Sequence, residues 1–288
     1  MAVELAHWSY LYGKPEVTGQ LRTQPSDFKV FEQLPFSLSG EGEHLYIYVR
    51  KTGTNTVYVA RELAQYFQVK ESLVAYAGLK DRFAVTEQWF AVHLPGKQTY
   101  DLSDLAIDGV EILSWQRHNK KLRTGALSGN RFVITLRNVS DITQLQQRWQ
   151  VVTAHGVPNY FGEQRFGHDN ENLIQAQRFF ESGKRPRNRQ KTSMYLSAAR
   201  SYLFNKMLAQ RVLNHTWDRP INGEVFGFPG SLRGFSQENT MEENNRWRIN
   251  RIHPTCALWG KGESLAKSQL LNIEQLIAKE EQEFAEGL

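Results

Sequence analysis

The sequence predicts an α+β chain. Strand-like alternation dominates its first half, helical spacing dominates the middle, and a single helical pattern ends it. The texture changes near residue 157, where Val157-Pro158-Asn159-Tyr160-Phe161-Gly162 forms a turn-rich aromatic segment. The elements follow in order. His44–Val49 alternates with period two, as a half-buried strand does, and a turn follows at Lys51-Thr52-Gly53. Asn55 or Thr56 can cap a helix that carries Val59, Leu63 and Tyr66 on one face. Leu73–Tyr76 and Trp89–Leu94 read as strands around a Gly-led turn, and Glu111–Trp115 as another strand. Arg131–Arg137 sets Phe132, Ile134 and Leu136 on one side and Arg131, Val133, Thr135 and Arg137 on the other. Ile142, Leu145, Trp149 and Val152 recur at helical spacing, with Gly156 placed as the stop. Three more helices follow, over 170–182 with Gly183 as stop, 193–214 and 264–286. Between the last two, 219–245 is polar and Gly-rich with poor strand signals. The apolar stripe of the final helix, Leu270, Ile273, Ile277 and Phe284, needs a surface to pack on.

Composition narrows the function. The 288 residues are 40% hydrophobic and 23% charged, as in globular proteins, and are long enough for one large domain or two ordinary ones. A net charge of +5 and a pI of about 9.2 favour a polyanionic partner such as nucleic acid. One cysteine, Cys256, excludes an internal disulfide and points to a reducing compartment. Met1–Tyr12 lacks the pattern of a signal peptide, and no apolar run approaches membrane-spanning length. Phosphate-loop, dinucleotide, HExxH, nucleophile-elbow and Cys/His metal patterns are all absent from the sequence. What remains is acid, base or nucleophilic work by a side chain.

The candidate is Asp81, in Ala77-Gly78-Leu79-Lys80-Asp81-Arg82-Phe83-Ala84-Val85-Thr86-Glu87-Gln88. A strand–turn–strand presents its turn at a sheet end, where ligand chemistry tends to sit. Lys80 and Arg82 flank Asp81 and would favour its ionised form, which can act as nucleophile or base. Spacing alone favours the plainer reading, a surface hairpin with an Asp-Arg turn. Two basic clusters suit phosphate contacts: Arg117, Lys120, Lys121 and Arg123, then Lys184, Arg185, Arg187, Arg189 and Lys191. One such cluster reads as a solvated loop; two in a basic chain balance the readings. His118, Tyr160, Phe161 and Phe166 lie near these loops, where aromatics either stack exposed bases or pack the core.

Several blocks together carry a resemblance. They are Thr23–Glu32, Gly78-Leu79-Lys80-Asp81 with Ala84-Val85-Thr86, Gly129-Asn130-Arg131-Phe132, Pro158–Gly167 and Leu196–Asn205, weakening through His253-Pro254-Thr255 and Trp259-Gly260. In this order they resemble the TruD family of tRNA pseudouridine synthases. The resemblance implies isomerisation of uridine to pseudouridine in tRNA, at position 13, without metal or cofactor, by a cytoplasmic monomer. It implies Asp81 as the catalytic nucleophile, on the sugar or the uracil ring. Phe28, Asn130, Phe132, Lys80, Arg22 and Glu32 are implied at the substrate, Arg22 standing where lysine is common. Lys120, Lys121, Arg123, Arg187 and Arg189 are expected on the RNA backbone.

The implied fold is a pseudouridine-synthase core, a mixed and mainly antiparallel sheet with flanking helices, plus an inserted α/β module with a cleft between the two. Residues 1–156 are expected to open the core, 157–254 to form the insert and 255–288 to return to the core. A Leu-Pro-x-Gly-Ser-Phe/Tyr-Ala-Thr block of the family is absent, so the C-terminal part of the core is expected to be missing and a sheet edge and apolar helix faces exposed. The competing reading is a tRNA-binding protein or RNA chaperone that lacks the chemistry.

Overall fold

A computed structural model describes residues 8–96, 98–231, 233–236 and 241–288. Residues 1–7, part of the start read for a leader, and 232 and 237–240, part of the polar stretch 219–245, lie outside the described residues. Contacts group the described chain into two compact units, 16–147 and 8–15 with 148–288.

The unit 16–147 is built on a mixed sheet. Its elements are β1 (Gln20–Leu21), β2 (Phe28–Gln33), β3 (His44–Thr52), α1 (Thr56–Tyr66), β4 (Val74–Tyr76), β5 (Val85–His93), β6 (Val110–His118), β7 (Gly129–Ile134) and β8 (Leu136–Arg137). The strands run β6-β3-β5-β2-β7, and β4 pairs the far half of β5. Only β2 with β5 is parallel, so the sheet is mixed and mainly antiparallel.

The central strands are covered on both faces rather than one. Leu45, Ile47 and Val49 of β3 pack on Val59, Ala60 and Leu63 of α1, while Tyr46 turns the other way onto Ala77, Ala91 and Leu122. The β3 pattern continues to Thr52, so Lys51 is a buried strand residue and not part of a turn. Arg117 likewise belongs to β6, and its guanidinium donates to the carbonyls of Gly42, Leu94 and Gln98. His118 is buried and stacked on Phe36 with ring centroids 4.9 Å apart. The strand read over 131–137 is interrupted at Thr135, whose N–H turns to the carbonyl of Asp27. Arg137 then grips Asp27 with two hydrogen bonds of 2.8 Å, and this guanidinium holds the Asp27 carboxyl below the usual carboxylate range.

β7 pairs with β2 alone among the described residues, and Phe132, Val133, Ile134 and Leu136 are all exposed. Neither side of its alternation is buried. The helix α2 (Ile142–His155) forms where its spacing predicts, yet none of its residues is buried and Trp149 is 65% exposed.

The second unit is mainly helical. It contains α3 (Glu171–Ser182), α4 (Arg189–Leu213), the small sheet of β9 (Val225–Gly227), β10 (Gly234–Ser236) and β11 (His253–Pro254), α5 (Met241–Arg248), α6 (Ser268–Glu280) and α7 (Gln282–Gly287). Gly183 ends α3 with φ +64°, the left-handed conformation that glycine adopts freely. α4 begins at Arg189, before the expected Ser193, because the Asn188 side chain accepts from the amides of Gln190 and Lys191. α5 was hidden in a stretch without apolar periodicity. The single helix expected over 264–286 is two, broken at Glu281 (φ −113°, ψ 43°). The break lets Ile277 and Phe284 both enter the α3–α4 core with Leu173, Ala199, Tyr202 and Leu203. The final stripe thus finds the surface it needs, and the exposed apolar faces are those of α2 and β7. Phe166 is fully buried there, and Tyr160 stacks on Trp8, so these two aromatics pack rather than project. Among the described residues no helix is long and apolar enough to cross a membrane.

Candidate active site around Asp81

The loop 77–84 joins the antiparallel strands β4 and β5. It is longer than the tight Gly-led turn its sequence suggests, and Gly78 has open space at its α-carbon. Side chains from neighbouring elements fix it. Gln88 donates to the carbonyl of Gly78 and accepts from Thr56, whose hydroxyl oxygen in turn accepts from the amide of Lys80. Lys51 reaches the carbonyls of Lys80 and Asp81, and Arg82 that of Gly53.

Neither neighbour in sequence pairs with the Asp81 carboxylate. Lys80 turns inward and meets Glu32 at 2.6 Å, with side chains 7% and 0% exposed. Glu32 also accepts from the amide of Trp89. The partner of Asp81 is Arg22, at 2.9 Å, with both side chains about one-third exposed. A pair that wet contributes at most about 1 kcal/mol, so its weight lies in orientation. Arg22 has φ +58°, a strained conformation for a non-glycine residue, and its guanidinium lies 3.9 Å over the Phe28 ring.

The topology explains this convergence. Lys29 is in register with Val85, so the parallel strands β2 and β5 begin side by side, which puts Phe28 and the loop at one end of the sheet. Glu32 faces Asn130 and Val30 faces Phe132 across the β2–β7 ladder. Phe28 is buried, while Phe132, in edge contact with it at 5.9 Å, is 52% exposed. Asn130 Oδ1 is buried without a hydrogen-bond partner among the described residues. A carboxylate, a clamping guanidinium and an exposed ring thus gather around Phe28, and the unpaired Asn130 acceptor lies two residues from Phe132 along β7, opposite Glu32. Among the described residues no group of three or more His, Cys, Asp or Glu could hold a metal ion.

A family profile described as tRNA pseudouridine synthase D (TruD) matches residues 4–177 and 171–285. The chain belongs to the TruD family. TruD proteins are tRNA pseudouridine synthases, isomerases that modify tRNA. A relative from Colwellia psychrerythraea named tRNA pseudouridine synthase D is 51% identical over 285 residues, covering 99% of this chain and 77% of the relative. One from Hydrogenovibrio crunogenus is 42% identical over 287 residues, covering 99% and 83%. A TruD crystal structure from Methanosarcina mazei superposes with a TM-score of 0.78 at 21% identity, covering 97% of this chain and 82% of that one, and so shares the fold.

The basic residues of this TruD chain divide by place. Lys120, Lys121 and Arg123 are exposed in the segment after β6, and Arg187 and Arg189 are exposed between α3 and the first turn of α4. Lys51 escaped the sequence reading. Its signal was present: it continues the Leu45, Ile47, Val49 register, where a charged residue is out of place.

Proposed function

We propose that this chain converts uridine to pseudouridine at position 13 of tRNA with Asp81 as the nucleophile. The observation that carries the reading is the Asp81 carboxylate held by Arg22, whose guanidinium covers Phe28 in edge contact with Phe132, with the unpaired Asn130 oxygen two residues along β7. A buried acceptor without a partner costs about 1–3 kcal/mol, and the N3–H of uracil would satisfy it. The half-exposed Phe132 ring offers a stacking surface to a base that has left the tRNA stack. Asp81 attacks the ribose or the ring, the C1′–N1 bond breaks, uracil turns over, a C1′–C5 bond forms, the bond to the Asp81 carboxylate breaks to free the nucleophile, and the C5 proton is lost while N1 gains one. No atom is added, so no co-reactant is required.

The buried Lys80–Glu32 pair holds the backbone that carries Asp81. Lys120, Lys121, Arg123, Arg187 and Arg189 contact phosphates and offset the few kcal/mol that base flipping costs. The protein acts as a cytoplasmic monomer.

The test is tritium release from tRNA labelled at uridine C5, with Asp81→Asn alongside. Release by the wild type and none by the variant supports the reading. Equal release by both removes Asp81 from the chemistry. No release by a folded wild type that still binds tRNA favours the binding-only alternative.

A further inference from the structure

We infer that Lys51 is a positioning residue that sets the Asp81 carboxylate from behind, through the main chain of the catalytic loop. Lys51 is fully buried, and among the described residues it forms no ion pair. An ammonium has three donors and no acceptor. Here they meet three carbonyls: Thr54 at 2.9 Å, Asp81 at 2.8 Å and Lys80 at 3.4 Å. Two loops are joined by one cation, the segment leading into α1 and the loop 77–84.

A structural lysine is costly to bury and is rarely chosen when a neutral donor would serve. The position of this one gives the reason. Asp81 is held at two points: its carboxylate from the open side by Arg22, and its carbonyl from the core by Lys51. Two fixed points define the direction of a short side chain, and a nucleophile displaced by about 1 Å can lose a hundredfold in rate.

The charge itself is finely held. Burial pushes the Lys51 ammonium down to about 8, the Lys80 cation pushes the same way, and Asp81 opposes both. Around it, Lys80, Asp81 and Arg82 come from the loop and Arg22 from the segment before β2. Thr56 of α1, Thr86 of β5 and Val110 of β6 bring no charge. The proton on Lys51 is therefore lost just above neutrality, and with it the third donor and the charge.

This inference rests on Asp81 as nucleophile, and the experiment separates the two. Single-turnover rates and KM for tRNA are measured from pH 6.5 to 9.5 for wild type, Lys51→Met, Lys51→Arg and Asp81→Asn, with circular dichroism and tRNA affinity as controls. The expected result for Lys51→Met is a 10- to 100-fold lower kcat with KM changed less than twofold, since Lys51 sits behind the loop. Wild type should show an alkaline limb near pH 8 that Lys51→Arg, which does not titrate there, lacks. Stability runs the other way: the unfolded state binds more protons between about 8 and 10.5, so folding is favoured as pH rises there, and an alkaline loss of rate does not come from unfolding at this residue. A folded Lys51→Met or Lys51→Arg with wild-type kcat and an unchanged limb overturns the inference while an inactive Asp81→Asn leaves the nucleophile standing. If Lys51→Met does not fold, Lys51→Arg alone decides through the limb.

Discussion

Replacing Glu32 by Gln isolates the support beneath Asp81. The substitution keeps shape and leaves an acceptor for the amide of Trp89, but it strands the Lys80 ammonium in a site 7% exposed. Removing one partner of a buried pair costs about 3–5 kcal/mol. With a urea slope of about 2 kcal/mol/M, a 3 kcal/mol loss moves the midpoint by roughly 1.5 M. The assay is urea unfolding at neutral pH, with hydrogen exchange at the Trp89 amide as the local probe. Glu32→Leu with Lys80→Met should recover most of the loss, since apolar replacement of both partners is often neutral. A loss below about 1 kcal/mol refutes the argument, because that is surface-pair behaviour.

Three further outcomes are expected. Phe132→Ala should change stability by less than about 1 kcal/mol, the ring being 52% exposed, yet lower kcat/KM roughly 10-fold or more through lost stacking; thermal melts and tritium release separate the two. Arg22→Lys keeps the charge but loses the planar fork that both pairs with Asp81 and covers Phe28; single-turnover rates should fall while tRNA affinity changes little. Replacing Lys120, Lys121 and Arg123 together by Ala should flatten the salt dependence of tRNA binding by roughly 2–3 units of slope, read from filter binding between 50 and 200 mM salt.

The fold was legible where hydrophobic period and local chemistry agreed. β3, α1, α2 and α3 fall near their expected positions because alternation, a 3.6-residue stripe or a stopping glycine marks each. It was illegible where tertiary contacts override period. Ile277 and Phe284 share a stripe whether the chain is one helix or two, and the common core with Leu173 and Tyr202 selects the break at Glu281. α5 had no stripe to read, and the exposure of β7 contradicts an alternation as clean as any in the chain. Period says that a strand has two sides; it does not say what lies against them.

The site shows a sharper limit. Asp81 could be singled out as a carboxylate between two cations, but those cations are not the ones that hold it. Lys80 and Arg82 are its covalent neighbours, and in an extended loop neighbouring side chains diverge, so each finds a different partner: Glu32 for one, the carbonyl of Gly53 for the other. The cation that does meet Asp81 is Arg22, 59 residues earlier, brought in by the parallel register of β2 and β5 and by a left-handed turn that the local sequence does not demand. Lys51, which the antiparallel register of β3 and β5 carries beneath the loop, lies 30 residues earlier. Motif reading finds the candidate residue, because its type is constrained by chemistry. It does not find the residues that hold it still, because many types and many places in the chain could, and only the pairing of strands decides which do.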